Sequence, residues 1–227
     1  MSARLIALEG IDGSGKGTQA KRLVDRMLAA GYRAQLIGFP RYSETFFGQR
    51  IGDFLNGRFG ELWDLPPFLI SLLFAGDRLE SKGMLQQALA EHDVVVLDRY
   101  VASNVAHQSA RCSAEEQREV QDWIEQIEFS IHGLPRSDLN LLFDLPVSMA
   151  QELVLRKNAR DYTERAADLQ EADAEYLERV RETYLQLAER QSNWSTINLV
   201  VRDELRSVEE VGDDVWRCVQ QLLSETR

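Results

Sequence analysis

The chain has 227 residues, of which 44% are hydrophobic and 28% are charged, and its formal net charge is −11. This length is enough for one sizeable core, so we expect one domain with a movable piece. The acidic balance argues against a nucleic-acid polymer as a partner, because proteins that bind one present a basic face to its phosphates.

Several other classes are also disfavoured. No apolar run approaches the roughly 20 residues of a membrane span. Residues 1–8 lack the apolar region and cleavage site of a secretory leader, so we expect a cytoplasmic protein without membrane contact. Cys112 and Cys218 form no CxxC pair, which favours two reduced thiols over a disulfide. The three histidines show no ligand spacing, so no zinc site is predicted.

The first predicted elements surround a glycine-rich loop. An apolar run at 5–8 predicts a strand, and the apolar spacing at 20–28 predicts a helix. Between them, glycines let successive N–H groups point at an anion, while the helix N-terminus and Lys16 add positive charge. We therefore predict that this loop binds the phosphates of a nucleotide through the residues Gly10, Ile11, Asp12, Gly13, Ser14, Gly15, Lys16, Gly17 and Thr18.

The loop departs from the usual phosphate-binding pattern at one position. Gly10, Gly15 and Lys16 meet the pattern G-x-x-x-x-G-K. Gly17 then stands where a Ser or Thr ordinarily carries a magnesium-binding hydroxyl, and Thr18 follows one residue later. The metal ligand is therefore open, because Thr18 can face a phosphate instead of the ion.

A second predicted strand near 34–37 runs into Phe39-Pro40-Arg41-Tyr42, and its carboxyl end is where ligands of open α/β sheets bind. A packed turn with a solvated arginine is the alternative.

A helix is predicted at 44–55. Asp64 is predicted to cap another helix that begins with two prolines and is apolar on nearly every face. Such a helix is buried or lies in a subunit interface.

Phe74 and Arg78 lie four residues apart on that helix and share one face. A flat heteroaromatic ring with an exocyclic oxygen would satisfy both side chains. The alternative is a core phenylalanine beside a surface arginine, with Asp77 as a competing partner of the guanidinium.

The apolar run at 94–97 predicts a strand covered on both faces, and it ends in Asp98-Arg99-Tyr100 at the same sheet edge as the glycine loop. There Asp98 can hold Mg²⁺ and Arg99 can grip a phosphate, although a surface Asp–Arg pair is the alternative. Donors and acceptors follow on one helical stretch, namely Ser103, Asn104, His107, Gln108 and Arg111.

The second half of the chain is predicted to have a mainly structural role. Ser113 and Glu116 form a capping box before an amphipathic helix that uses apolar residues from 120 to 131. A strand is predicted at 139–143, a helix from 149, a last strand at 196–201 and a final helix capped by Ser207 and Glu210. The basic run at 156–165 is either a solvated loop or a lid that closes arginines over a transferring phosphate.

The glycine loop, FPRY at 39–42, LLFAGDR at 72–78 and DRYVASN at 98–104 together resemble the thymidylate kinases, which phosphorylate dTMP with ATP. The resemblance spans nearly the whole chain. It implies a three-layer α/β P-loop NTPase fold, with a five-stranded parallel sheet flanked by helices and a small mobile lid at about 156–168. It also implies a homodimer, ATP and dTMP as substrates, and Mg²⁺.

The resemblance further implies roles for individual residues. Lys16 and the loop amides would hold the ATP phosphates, and a lid arginine would assist transfer because position 13 is glycine. Asp12 would meet the sugar 3′-hydroxyl or the metal, and Asp98 is the other predicted metal ligand because of its position after the strand. The catalytic residues are then Lys16, Arg99, Asp12 and Arg160, and the dTMP-binding residues are Asp12, Phe39, Arg41, Tyr42, Phe74, Arg78, Arg99, Ser103, Asn104 and His107. Within this set Phe74 stacks on thymine, Arg78 bonds its carbonyl oxygen and Asn104 reads the base edge.

Two alternatives stay open at this point. Gly17 resembles the adenylate kinase loop, although FPRY stands where that family is expected to show a threonine-glycine-aspartate segment. His107 occupies a place where thymidylate kinases often have tyrosine or phenylalanine. A nucleotide-dependent switch or scaffold would need a guanine-reading NKxD segment, and the chain has none.

Overall fold

The computed structural model describes residues 3–155, 170 and 173–224. Its main sheet contains five parallel strands in the order β2-β3-β1-β4-β5, which confirms the predicted five-stranded parallel sheet. The strands are β1 at Arg4–Glu9, β2 at Ala34–Gly38, β3 at Val94–Asp98, β4 at Leu139–Asp144 and β5 at Trp194–Asn198. A short antiparallel hairpin follows, with β6 at Val200–Val201 and β7 at Glu204–Leu205.

Helices cover both faces of the sheet. They are α1 at Lys16–Ala29, α2 at Phe46–Leu55, α3 at Pro67–Glu80, α4 at Lys82–Glu91, α5 at Val101–Ser109, α6 at Glu116–Glu125, α7 at Val147–Leu155, α8 at Ala174–Arg190 and α9 at Val208–Ser224. Parallel strands need crossover connections, and helices supply these on either face. Within the described part of the chain, no helix combines the length and hydropathy that a membrane crossing requires.

The packing of the central strands explains why their sequences are continuously apolar. In β1, Ile6 and Leu8 enter one core, whereas Leu5 and Ala7 enter the core on the opposite face. Successive side chains of a strand alternate between faces, so a strand buried on both sides needs apolar residues at every position. The burial of β1 and β3 therefore fixes the three-layer arrangement that the sequence predicts.

Three local predictions are wrong or need adjustment. Asp64 does not cap α3, because it lies in a short 3₁₀ turn at Leu62–Asp64 and the position before the helix is Pro66. The amphipathic helix after Ser113 ends at Glu125 and continues as a π-helical turn, Gln126–Ile131, which leaves the side chain of Ile131 exposed. The predicted last strand at 196–201 is divided between β5 and β6.

Other local predictions are confirmed. Ser113 exchanges hydrogen bonds with Glu116, and Ser207 does so with Glu210, as capping boxes require. Cys112 and Cys218 are free thiols. The predicted lid at 156–168, including Arg160, lies outside the described residues.

Candidate active site

The loop after β1 curls back under the start of α1. Gly10 and Gly13 have φ angles of 138° and 85°, and a Cβ at Gly13 would lie 2.4 Å from the carbonyl oxygen of Ala150. Only glycine fits such a contact in this backbone conformation. The loop therefore keeps its tight curve and presents backbone amides at the helix N-terminus, which is the arrangement of an anion site.

Lys16 begins α1 and is almost completely buried. Its Nζ donates to the carbonyl oxygen of Ile11 at 2.7 Å and lies 3.3 Å from Oγ of Ser14. Burial lowers its pKa to about 8, and the neighbouring guanidinium of Arg99 acts in the same direction. The ammonium group donates to neutral oxygens of its own loop, while the nearby carboxylates of Asp12 and Asp98 oppose the effect of burial on its pKa. A phosphate would add a directly bonded counter-charge.

Arg99 follows β3 and brings a second cation to the loop. Its backbone has φ 69°, and its N–H donates to the carbonyl oxygen of Leu8. Nη1 donates to the carbonyl oxygen of Gly10 at 3.1 Å, and Nη2 lies 2.9 Å from Oδ2 of Asp12. Although that ion pair is close, neither N–H of Nη2 is aimed at an acceptor among the described residues. The guanidinium therefore has hydrogen-bonding capacity left for an oxyanion.

A buried carboxylate that the sequence analysis missed lies behind Arg99. Glu9 accepts hydrogen bonds from the backbone N–H of Tyr100 at 2.8 Å, from Oγ of Ser103 at 2.5 Å and from the hydroxyl of Tyr184 at 3.2 Å. Burial raises its pKa, against the opposing effect of these hydrogen bonds and of the Arg99 charge. Ser103 also accepts from Nη1 of Arg99 at 3.1 Å, so Glu9 supports the guanidinium through a hydroxyl.

Two further carboxylates, Asp12 and Asp98, line the cavity beside Lys16. They supply hard oxygen ligands, and Mg²⁺ typically takes one or two carboxylates together with substrate phosphates and water. A Cβ at Gly17 would lie 2.9 Å from Oδ2 of Asp98, so a carboxylate oxygen lies close to the place where a side chain at position 17 would begin. Among the described residues, no group of three or more His, Cys, Asp or Glu side chains could hold a metal ion by itself. The donor set thus fits a phosphate-bound Mg²⁺ rather than an independent metal centre.

The FPRY segment lines the same cavity but is partly engaged elsewhere. Arg41 pairs with Glu44 and donates to Oγ of Ser81 at 3.2 Å. Its backbone N–H donates to Asp77, which also accepts from the Thr45 hydroxyl. Asp77 is therefore held by this segment, and the buried partner of Arg78 lies elsewhere.

The floor of the cavity carries Phe74, Arg78 and Asn104. Arg78 makes a two-pronged ion pair with Glu128, and both side chains are almost wholly buried. Burial opposes the charge of Arg78, but the Glu128 carboxylate outweighs that effect and raises the pKa of the guanidinium. The alternative of a surface arginine is thus wrong, since this cation is fixed beneath the cavity.

Two amide side chains present unsatisfied atoms to this floor. Oδ1 of Asn104 and Nε2 of Gln108 are buried and find no hydrogen-bond partner among the described residues. Nδ2 of Asn104 donates to the carbonyl oxygen of Ser71 at 3.0 Å and to Glu128 at 2.9 Å, while Oε1 of Gln108 accepts from Arg111 at 3.0 Å. These partners fix which end of each amide faces the cavity. One unpaired acceptor and one unpaired donor therefore await a ligand.

His107 lines the cavity between its two ends. Its Nδ1 lies 2.9 Å from the hydroxyl of Tyr176 on α8, and its ring packs edge-on against Tyr184. Burial lowers its pKa to about 3, with the charge of Arg99 acting in the same direction. The imidazole is therefore neutral and serves as a hydrogen-bonding group here.

These side chains share one cavity of about 1030 Å³. The structure brings together most of the predicted site, since the lining includes Asp12, Gly13, Gly15, Lys16, Gly17, Phe39, Arg41, Tyr42, Phe74, Arg78, Asp98, Arg99, Ser103, Asn104 and His107. Four predicted loop residues lie outside this lining: Gly10, Ile11 and Ser14 are buried behind it, and the side chain of Thr18 is exposed. Gln108 belongs to the lining although the sequence analysis gave it no role.

A glycine loop with Lys16 and Arg99 at the sheet edge, joined in one cavity to the buried polar side chains of Arg78 and Asn104, is the arrangement of a P-loop kinase of the class that phosphorylates nucleoside monophosphates. The family model described as thymidylate kinase matches residues 8–214, and the chain belongs to the thymidylate kinase family.

Individual relatives agree with this assignment. The thymidylate kinase of Mycobacterium tuberculosis (strain H37Rv) is 36% identical over 184 residues, which cover 81% of this chain and 85% of that protein. The probable thymidylate kinase of Pyrococcus abyssi is 35% identical over 227 residues, covering 98% of both chains. The solved structure of thymidylate kinase from Candida albicans shares the fold, with a TM-score of 0.73 at 23% identity, covering 97% of this chain and 92% of that one.

Proposed function

We propose that this protein transfers the γ-phosphoryl group of ATP to dTMP and produces dTDP and ADP. Family membership supports the reaction. The observation that carries the assignment of the base is the pair of unsatisfied amide atoms, Oδ1 of Asn104 and Nε2 of Gln108, in the cavity that also contains Lys16 and Arg99. Thymine offers a matching N3–H donor and carbonyl acceptors, and adenine lacks a carbonyl oxygen.

The proposed transfer requires no nucleophilic side chain. An oxygen of the dTMP phosphate attacks the γ-phosphorus, and the bond between that phosphorus and the bridging oxygen of ADP breaks as the new bond forms. Lys16 and Arg99 lie at one sheet edge and can neutralise the charge on the transferring group. Asp12 and Asp98 would hold Mg²⁺, which supplies further charge neutralisation when it is bound with the phosphates.

The base is proposed to lie over the cavity floor. Phe74 would stack on the ring, and Nη1 of Arg78 would donate to a carbonyl oxygen, since Nε and Nη2 are held by Glu128. Neutral His107 would contact the sugar. The roles of the lid at 156–168 and of Arg160 stay predictions from the family resemblance. The single-domain organisation and a cytoplasmic location are likewise proposals that we retain.

Release of ADP from ATP, measured with dTMP, dUMP, dCMP and AMP in turn, tests this function. We expect dTMP to be the best substrate and dUMP to be poorer by only a few-fold, because one buried methyl group contributes about 0.8 kcal/mol. Arg99→Ala should reduce turnover by about 10³-fold, by analogy with other phosphate-clamping arginines. Arg33→Ala, which removes an exposed ion pair with Asp93, is the matched control. AMP turnover that equals dTMP turnover would refute the proposal.

We also propose a homodimer that uses the exposed stripe of α3. Leu69, Leu72 and Leu79 share one face of this helix and are all exposed in the single chain. The sequence analysis expected this helix to be buried or in a subunit interface. Sedimentation of Leu69→Glu should show a shift toward monomer, whereas Leu28→Glu, an equally exposed leucine on α1, should leave the dimer intact.

A further inference from the structure

We call the part of the cavity at Phe74, Arg78 and Asn104 the base end and the part at Lys16 and Arg99 the phosphate end, after their proposed ligands. Glu128 lies beneath the base end, in the π-helical turn that follows α6. Its side chain is completely buried. One carboxylate oxygen accepts from Nε of Arg78, and the other accepts both from Nη2 of Arg78 and from Nδ2 of Asn104. A single carboxylate therefore holds both polar side chains that the proposed function places against the base.

The contact with Asn104 determines which atom this side chain offers to a ligand. An asparagine amide can present either its oxygen, which accepts, or its nitrogen, which donates. Here the nitrogen faces two groups that can only accept, the Glu128 carboxylate and the carbonyl oxygen of Ser71. Turning the amide over would place its oxygen against both of these oxygens. The buried Oδ1 is consequently kept on the cavity side.

The pyrimidine bases differ at the position that such an acceptor reads. Thymine carries a hydrogen on N3 and a carbonyl oxygen at position 4. Cytosine has an unprotonated N3, which accepts, and an amino group at position 4, which donates. An acceptor from Asn104 beside a donor from Arg78 therefore matches thymine, whereas cytosine would set acceptor against acceptor and donor against donor.

We propose that Glu128 is a positioning residue that sets the pyrimidine selectivity of this enzyme by fixing the amide of Asn104 and the guanidinium of Arg78. The inference rests on the proposed function. Glu128 reaches the substrate only through these two side chains, and its ability to act solely as an acceptor is the property that matters. A glutamine at 128 can donate to Oδ1 of Asn104, so only the carbonyl oxygen of Ser71 still opposes an amide that presents Nδ2 to the base.

The test compares kcat/KM for dTMP and for dCMP in four proteins: wild type, Glu128→Gln, Glu128→Asp and the control Glu125→Gln. Glu125 ends α6, three residues before Glu128, and pairs with Arg136 near the surface. We expect wild type and Glu125→Gln to prefer dTMP by the same ratio. In Glu128→Gln we expect that ratio to fall at least about tenfold, because the mismatched hydrogen bond at N3 becomes matched for cytosine while Arg78 stays a donor.

Glu128→Asp keeps the test informative if the glutamine variant does not fold. That failure would arise because the charge of Arg78 has lost its counter-ion. The aspartate keeps the charge, but its shorter side chain cannot reach Arg78 and Asn104 together. The dTMP-to-dCMP ratio should then fall at least about tenfold, mainly through a higher KM for dTMP.

An unchanged ratio in a folded Glu128→Gln or Glu128→Asp enzyme would overturn the inference, as would an equal loss for both substrates, which a purely structural role produces. Failure of the proposed function would appear differently. A wild-type enzyme that does not phosphorylate dTMP would reveal it before any variant is made.

Discussion

The two ends of the cavity are each built over a completely buried glutamate, but the glutamates have different partners. At the phosphate end, Glu9 accepts from a backbone N–H and two hydroxyls, all of which are neutral. At the base end, Glu128 binds the guanidinium of Arg78 directly. Burial raises the pKa of Glu9, whereas its hydrogen bonds and the charge of Arg99 act in the opposite direction.

This difference separates two kinds of recognition. At the phosphate end, Lys16 is bonded to neutral loop oxygens, and Nη2 of Arg99 pairs with Asp12 at 2.9 Å without an aligned hydrogen bond, so both cations can respond to incoming anions. At the base end, the charge of Arg78 is already balanced, and recognition depends on the direction of hydrogen bonds. We therefore expect changes at the phosphate end to affect turnover and changes at the base end to affect affinity and selectivity.

The largest effect is expected for Lys16→Met. Removing a buried cation that stabilises the transferring phosphoryl group should reduce kcat by about 10³-fold, while dTMP binding in the absence of ATP stays within about threefold. Lys21→Met, which removes an exposed lysine from the same helix, is the matched control. Steady-state kinetics and calorimetry give the two quantities. If the variant retained more than a tenth of wild-type kcat, the charge that stabilises the transferring group would have to come from another residue.

Phe74→Ala should show the opposite pattern. Loss of an aromatic face under the base should raise KM for dTMP by about 10- to 100-fold, because base–aromatic stacking contributes about 1–3 kcal/mol. We expect kcat at saturating dTMP to change less than KM. Phe59→Ala, at a partly exposed phenylalanine outside the cavity lining, controls for loss of a ring. A fall in kcat with an unchanged KM would contradict the separation of the two ends.

A pH titration of ATP binding sharpens the comparison further. The amine of Lys16 has a pKa of about 8 in the folded protein, below its ordinary value of 10.5, because burial disfavours its charged form. Above pH 8 the free enzyme therefore loses this charge, whereas bound phosphate favours it. ATP affinity should fall by up to about tenfold per pH unit above pH 8. Lys16→Arg, whose guanidinium remains charged, should show no such fall, and a parallel decline in both proteins would assign the titration to another group.

The smallest effect is expected for Gly17→Ala. The new Cβ would meet a carboxylate oxygen of Asp98, which is the end of a side chain that can move. We expect the free energy of unfolding to change by no more than about 1 kcal/mol and the Mg²⁺ concentration for half-maximal activity to rise about threefold. Gly48→Ala is the contrasting case, because its Cβ would lie 2.1 Å from the carbonyl oxygen of Arg41 and the backbone would have to move. Equal thermal stability of the two variants would contradict this distinction.

The phosphate end could be predicted from sequence because its parts are local. The glycine loop and the segment at Asp98 and Arg99 each follow an apolar strand, and the rule that ligands bind at the carboxyl edge of a parallel sheet brings them together. Glu9 was missed because a single charged residue at the end of a strand resembles the start of a loop. Only the packing of α5 and α8 around it shows that it is buried.

The base end was predicted less completely for a different reason. The apolar spacing at 120–131 predicts a regular helix with Ile127 and Ile131 on its buried face. The π-helical turn changes the register there, which buries Glu128 and exposes Ile131. A glutamate on an amphipathic helix reads as a solvated residue, so no sequence pattern identified the partner of Arg78. Gln108 was likewise noted only as a polar residue of a helix.

The position of β1 in the middle of the sheet has a mechanical consequence for the enzyme. Leu8, shortly before the glycine loop, pairs with Asp98 on one side and with Leu141 on the other. The starts of the glycine loop and of the segment at Arg99 are thus held by two hydrogen-bonded neighbouring strands, about 4.8 Å apart. Motion of these central strands moves the glycine loop and Arg99 together. The distance between them therefore does not follow the larger motions of surface segments. Changes in the peripheral segments of such an enzyme can therefore leave the spacing between the glycine loop and Arg99 unchanged.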